Sequence, residues 1–178
     1  MSSENRRIYM NIRKATFLDA KGIAQVHVDS WTTTYRGNVP DEYLNQLTYD
    51  SREQLWKKNL ENVDVLVAED EIGRIIGFAD NGKERTGKHK KLEGEVYSIY
   101  ILQDYQGQGL GKLLLKEMVN DLLNKGMDSM LIWVLKDNRS CGFYEKKGGK
   151  VVESKSLEIT GKQLIEVAYG WEDIRIII

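Results

Sequence analysis

In the stretch DYQGQGLGKLLLKEM (104–118), Gly107, Gly109 and Gly111 alternate with other residues and then give way to a helical pattern. Glycine reaches positive φ without steric cost, so such a turn can aim successive amide N–H groups into one concavity, an anion nest. A helix opening near Gly109 or Leu110 adds N–H groups without intrahelical partners and the positive end of its dipole. A phosphate or pyrophosphate suits these groups. Two common nucleotide patterns are excluded. A dinucleotide fingerprint requires glycine three residues after Gly109, where Lys112 stands. A Gly-x-x-x-x-Gly-Lys-Ser/Thr loop requires glycine at Gln106 and a hydroxyl at Leu113. The residues alone also allow a turn that only joins strand to helix.

The elements that must hold this turn follow from periodicity. IYMNIRKAT (8–16) alternates and predicts a strand. A helix is expected over 20–37, capped by Asp19, with Ile23, Val26, His27, Ser30 and Trp31 at helical spacing and Gly37 at its end. Short helices are predicted over 40–47 and 51–62, the second capped by Ser51. DVLVAED (64–70) and RIIGFADNG (74–82) predict a hairpin, and the basic stretch 83–94 a loop. EVYSIYIL (95–102) is the strongest strand pattern and runs straight into the glycine turn. An amphipathic helix over 110–126 follows, then a strand over 129–136 and a short helix over 138–149 capped by Asn138. A last hairpin, 150–159 with 162–173, turns at Thr160 and Gly161. Helices alternating with strands imply a mixed α/β layering.

The 178 residues suit one domain with a full core. A formal net charge of −1 provides no global field for nucleic acid or membrane, so nucleic-acid binding is disfavoured. A single cysteine, Cys141, excludes an intramolecular disulfide and a multi-cysteine zinc site, and no metal is expected. With no apolar run of membrane-span or signal-peptide length, a reducing cytoplasm is the expected compartment. The apolar tail IRIII (174–178) is expected to add to a sheet or to meet a second subunit, as in a homodimer.

IYILQDYQGQGLGKLLL resembles the acetyl-CoA signature of the GNAT N-acetyltransferases, Gln/Arg-x-x-Gly-x-Gly/Ala, with Gln106, Gly109 and Gly111 at its fixed positions. Glutamine at 106, where arginine is commoner, removes one cation near the phosphates. The segment from Asn138 through Phe143, Tyr144 and Glu145 to Gly148 resembles the family's following helix, and the strand order matches along nearly the whole chain. SWTTTYRGNVPDEYL is similar to one GNAT subgroup.

The resemblance implies the GNAT acyl-CoA N-acyltransferase fold, a mostly antiparallel sheet of about seven strands flanked by helices. It implies transfer of the acetyl group of acetyl-CoA to a primary amine by direct attack. The pyrophosphate would lie on Gln106, Gly107, Gln108, Gly109, Leu110, Gly111 and Lys112. The pantetheine arm would lie along Ile99, Tyr100 and Ile101, where that strand splays from 129–135, and would meet Asn138 and Tyr144. A backbone amide near Ile101 would polarise the thioester carbonyl. Tyr144 would protonate the leaving thiolate, a phenol of pKa about 10 matching a thiol of about 8.5. Glu95 would serve as the base through a water, or water alone would take the proton. Trp31 and Tyr35 fall where the acceptor lip lies, and His27 is expected to pack. The acceptor stays open among a small amine or polyamine, an amino acid, an aminoglycoside and a protein N-terminus. A non-catalytic acyl-CoA-binding module and a transferase of longer acyl chains are the rival readings.

Overall fold

The computed structural model describes residues 10–178. Seven strands form one open sheet, β1 (Asn11–Lys14), β2 (Val65–Glu69), β3 (Ile75–Lys83), β4 (Gly94–Ile101), β5 (Met130–Leu135), β6 (Lys150–Ile159) and β7 (Lys162–Trp171). Their order across the sheet is β1-β2-β3-β4-β5-β7-β6. Every neighbouring pair is antiparallel except β4 and β5. That one parallel pair requires a crossover, which α4 (Leu110–Asn124) supplies. The remaining helices are α1 (Ala20–Tyr35), α2 (Asp41–Gln46), α3 (Tyr49–Asn59) and α5 (Cys141–Lys146). The predicted strand at 8–16 is found over Asn11–Lys14; residues 8 and 9 lie outside the described residues.

The helical spacing seen in the sequence becomes burial. On α4, Leu110, Leu114, Leu115, Met118, Val119 and Leu122 are all nearly inaccessible and form its core face. Each such side chain contributes about 1.5–3 kcal/mol of transfer free energy, enough to fix α4 and therefore the turn that opens it. A second, smaller apolar cluster joins Val28 and Tyr35 of α1 to Leu44, Leu135 and Leu164, tying α1 and α2 to β5 and β7. The last hairpin turns at Thr160 and Gly161, both at positive φ, a geometry suited to two-residue hairpin loops.

Several local expectations are corrected. Asp19 does not cap α1 through its side chain; its carboxylate accepts from the Thr16 N–H and is held by the Arg13 guanidinium. Arg13 keeps the Asp19 carboxyl down to about 2. Thr48, not Ser51, caps α3, accepting from the Ser51 N–H. The tail adds no strand. Ile174–Ile177 form a short 3-10 helix that buries Ile174 and Ile177 in the core and leaves Ile176 and Ile178 exposed.

Candidate active site

β4 and β5 pair only over Gly94–Met130, Glu95–Leu131 and Val96–Ile132. Just beyond, β3 places Asp80 opposite Ser98 and Asn81 opposite Val96, so Tyr97 is an extra residue on β4, a bulge. A bulge bends its strand and increases twist. Past it β4 leaves β5, while β5 stays paired with β7 as far as Leu135. The gap opens into a cleft of about 660 Å³.

At one end of the cleft lies the glycine turn. Gly107 and Gly109 have φ of 71° and 89°, and a Cβ on either would meet no heavy atom within 4 Å, so the concavity is open. Gly109 is the N-cap of α4, whose first-turn N–H groups have no intrahelical partner. The cradle therefore fits an anionic group held by backbone donors. Gln106 spends its side-chain amide on the Ile101 carbonyl, 2.9 Å away, pinning the turn to the end of β4. Gln108 does the same to the Asp104 carbonyl at 2.7 Å.

Of the residues predicted for the cofactor, Ile99, Tyr100, Ile101, Gln106, Gly107, Gly111, Asn138 and Tyr144 line the cleft. Gln108, Gly109, Leu110 and Lys112 are not among its lining residues. The Leu110 side chain is buried in the core, which leaves only its backbone for a ligand.

Tyr144 stands on α5, facing the cleft from the β5 side. Trp171 Nε1 donates to the Lys147 carbonyl at 2.8 Å, and Tyr169 donates to Glu145 at 2.8 Å, so β7 fixes this helix at two points. A Cβ at Gly149 would come within 2.5 Å of the Trp171 ring, so glycine is required for that approach. Burial, with the neighbouring Tyr35 adding to it, pushes the Tyr144 phenol well above its ordinary value. Asn138 accepts from the Ser140 N–H at 2.8 Å, so it braces the turn while Ser140 takes the N-cap position expected of Asn138. Its Nδ2 donates to the Tyr35 hydroxyl at 3.0 Å, joining residues 103 positions apart. Tyr35 lines the cleft, whereas Trp31 packs behind it, ring to ring at 4.7 Å, and is not a lining residue. His27 packs as expected: it accepts from Trp56 Nε1 at 3.0 Å and stacks on Tyr100. Burial and then Arg52 hold it down to about 4, so it is neutral at pH 7. Burial raises the Cys141 thiol, which makes a thiolate scarcer.

Glu95 is not arranged as the expected base acting through a water. It is 1% exposed, and both its oxygens are taken by Arg85, through the backbone N–H at 3.1 Å and the guanidinium Nε at 3.1 Å and Nη2 at 2.5 Å. It does not line the cleft. A second buried carboxylate, unmarked by any motif, is Asp80. It accepts from the hydroxyl of Ser98, which does line the cleft. Burial pushes Asp80 up to about 6, Glu95 adds to this, and the Ser98 bond and Arg85 oppose it. The signal for Asp80 in the sequence was its place in the mostly apolar strand run RIIGFADNG, where an acidic residue falls among buried positions.

The sequence profile of the Acetyltransferase (GNAT) family matches residues 25–149, from the middle of α1 to the end of the α5 segment. The chain belongs to this family. A relative described as an uncharacterized N-acetyltransferase of Bacillus subtilis (strain 168) is 42% identical, over 93% of this chain and 94% of its own length. The ribosomal protein bS18-alanine N-acetyltransferase of Haemophilus influenzae is 38% identical over 72% of this chain and 70% of its own. Among solved structures, an N-acetyltransferase from Thermoplasma acidophilum in complex with coenzyme A superposes with a TM-score of 0.68, at 22% identity over 89% of this chain and 98% of that one. The splayed strands and glycine turn are thus those of a GNAT fold, and the activity class is acetyl-CoA-dependent N-acetyl transfer. No helix among the described residues is long and apolar enough to cross a membrane.

Proposed function

We propose that the chain acetylates a primary amine by direct attack inside a ternary complex, with Tyr144 at the leaving sulfur. One observation carries this reading: Gln106, Gly107 and Gly111 of the turn, the freed stretch of β4 and Tyr144 all line the same cleft. Acetyl-CoA supplies the acetyl thioester. The amides of the turn and of the first turn of α4 hold its phosphates. The open side of β4 beyond Tyr97 offers backbone groups to an extended arm, as an added strand would use them. Tyr144 stays protonated throughout the ordinary pH range, because burial raises its phenol. Its first contribution is therefore a hydrogen bond to sulfur as charge develops there, and proton transfer follows as the thiolate forms. The amine enters from the side of Tyr35 and Asn138. The alanine N-acetyltransferase of Haemophilus influenzae modifies a nitrogen, the same reactive atom.

Calorimetric titration with acetyl-CoA, beside CoA and NADH, followed by an amine panel scored for released thiol, tests the proposal. Saturable acetyl-CoA binding without an NADH response, and thiol release with at least one amine, is the expected result. Binding without thiol release from any amine would favour the binding-module reading. Absence of acetyl-CoA binding would overturn both.

A further inference from the structure

Two buried carboxylates stand near the bend of β4, and they are equipped for different work. Glu95 has both oxygens filled by one arginine and does not line the cleft. Asp80 has one side-chain partner among the described residues, the hydroxyl of Ser98, and Ser98 lines the cleft. The two side chains come from directly opposed positions on β3 and β4, at the edge of the bulge. We propose that Asp80, acting through Ser98, accepts the proton that the attacking amine loses.

This inference rests on the amine-acetylation reading above. Ser98 is the group that touches the amine, and Asp80 orients and charges it. The nitrogen forms the new C–N bond as the C–S bond breaks and its electron pair passes to sulfur, which receives a proton from Tyr144. The nitrogen proton passes to the Ser98 oxygen while the Ser98 proton passes to Asp80. One proton then returns to Tyr144 through solvent, and both groups are reset. The nitrogen becomes strongly acidic once bonded to the carbonyl carbon, so a carboxylate suffices to take its proton. Burial supports the role by raising Asp80 toward the working pH, where a base is most effective. The charged and titratable groups around Asp80 are Arg85 from the β3–β4 loop and Glu95, Tyr97 and Tyr100 on β4. On α1, His27 stacks on Tyr100 and is neutral. Val65, opposite Asp80 on β2, is apolar.

The test follows the Asp80 carboxyl by carbon-13 NMR in aspartate-labelled protein, its resonance identified by loss in Asp80→Asn, beside pH–rate profiles at saturating acetyl-CoA. In the unsubstituted protein the resonance should titrate near pH 6, and the rate should rise through the same midpoint. Ser98→Ala removes a bond to the charged form, so resonance and acid limb should both move to higher pH and the plateau rate should fall. Ser98→Thr, which keeps the hydroxyl, should restore most of that rate. Asp80→Asn should lose the limb and about 10²–10⁴-fold in rate, with acetyl-CoA affinity unchanged. If Asp80→Asn does not fold, the serine pair carries the decision. The relay is overturned by an Asp80 resonance titrating near pH 4, by an unchanged limb in Asp80→Asn or Ser98→Ala, or by losses of acetyl-CoA affinity that match the losses of rate. A protein that binds acetyl-CoA but turns over no amine would sink the transfer reading and the relay together. Intact turnover with an ordinary Asp80 titration would sink the relay alone.

Discussion

The two ends of the cleft are built from different parts of the chain's chemistry. At the glycine turn, the groups offered are backbone: positive φ at Gly107 and Gly109, the unpaired amides of α4, and glutamine side chains that serve the turn itself. At the opposite end the groups offered are side chains brought from far apart, with Tyr35 on α1 bonded to Asn138 before α5. A backbone cradle tolerates changes of side chain but not of φ. A side-chain wall tolerates backbone adjustment but changes its selectivity with every substitution. One end can therefore hold an invariant ligand while the other is retuned.

The largest test of that division is Gly109→Val. A β-branched residue at φ 89° is strained by roughly 1–3 kcal/mol or more, and its methyls would occupy the open nest. Acetyl-CoA affinity measured by calorimetry should fall at least about 100-fold, the equivalent of about 2.7 kcal/mol. Retained affinity would mean that the turn is only a connection.

Tyr144→Phe comes next. The hydroxyl is removed and the ring kept, so packing against Phe143 and Tyr169 persists. Turnover should fall by about 10²–10³, with acetyl-CoA affinity nearly unchanged. Because burial raises this phenol, the unsubstituted protein should show no fall in rate from Tyr144 ionisation up to pH 10. A descending limb centred near 9, lost in Tyr144→Phe, would contradict the buried-acid assignment.

The same division explains what the sequence disclosed. Backbone geometry is written locally: three glycines, a helix pattern and a strand, all within 95–126, were enough to place the turn that joins β4 to α4. The strand, long amphipathic helix and strand that form β4, α4 and β5 were legible in succession for the same reason, and the structure makes that pair parallel with α4 as its crossover. The side-chain partnerships were not. Glu95 read as a base acting through a water because Arg85, which takes its oxygens, lies in a basic stretch expected to be a loop. Asp80 and Ser98 meet only once the β3–β4 register and the bulge at Tyr97 are set. The apolar tail read as an addition to a sheet or a contact with a second subunit, yet it forms one turn of 3-10 helix that buries Ile174 and Ile177, three residues apart. Asp19 stands at the N-cap of α1 as expected, but Arg13 and the Thr16 N–H take its carboxylate, and the cap of α3 falls three residues before Ser51, at Thr48.

Glu95→Gln separates structure from chemistry at the bend of β4. It weakens a charge-assisted set of bonds in a buried site, so denaturant melts should show a loss of about 1–3 kcal/mol. The acid limb of the rate should survive. It should move modestly to lower pH, because the negative charge of Glu95 raises Asp80 and its removal also leaves Arg85 less neutralised. Disappearance of the limb in this variant would return the base role to Glu95.

The smallest expected effect is the one that probes the side-chain wall most directly. Tyr35→Phe deletes the acceptor of the Asn138 Nδ2 bond, 3.0 Å long, in a cleft that water can enter. Loss of one such bond with water as the substitute costs about 0.5–1.5 kcal/mol, so kcat/KM for the amine should fall roughly 3–10-fold. Acetyl-CoA affinity should change less than about twofold, because Asn138 remains braced through Ser140. The contrast with Gly109→Val is then complete in both directions. Should Tyr35→Phe weaken acetyl-CoA binding as much as amine use, Asn138 would be serving both ends, and the boundary between backbone and side-chain recognition would run through α1 and not between α1 and the glycine turn.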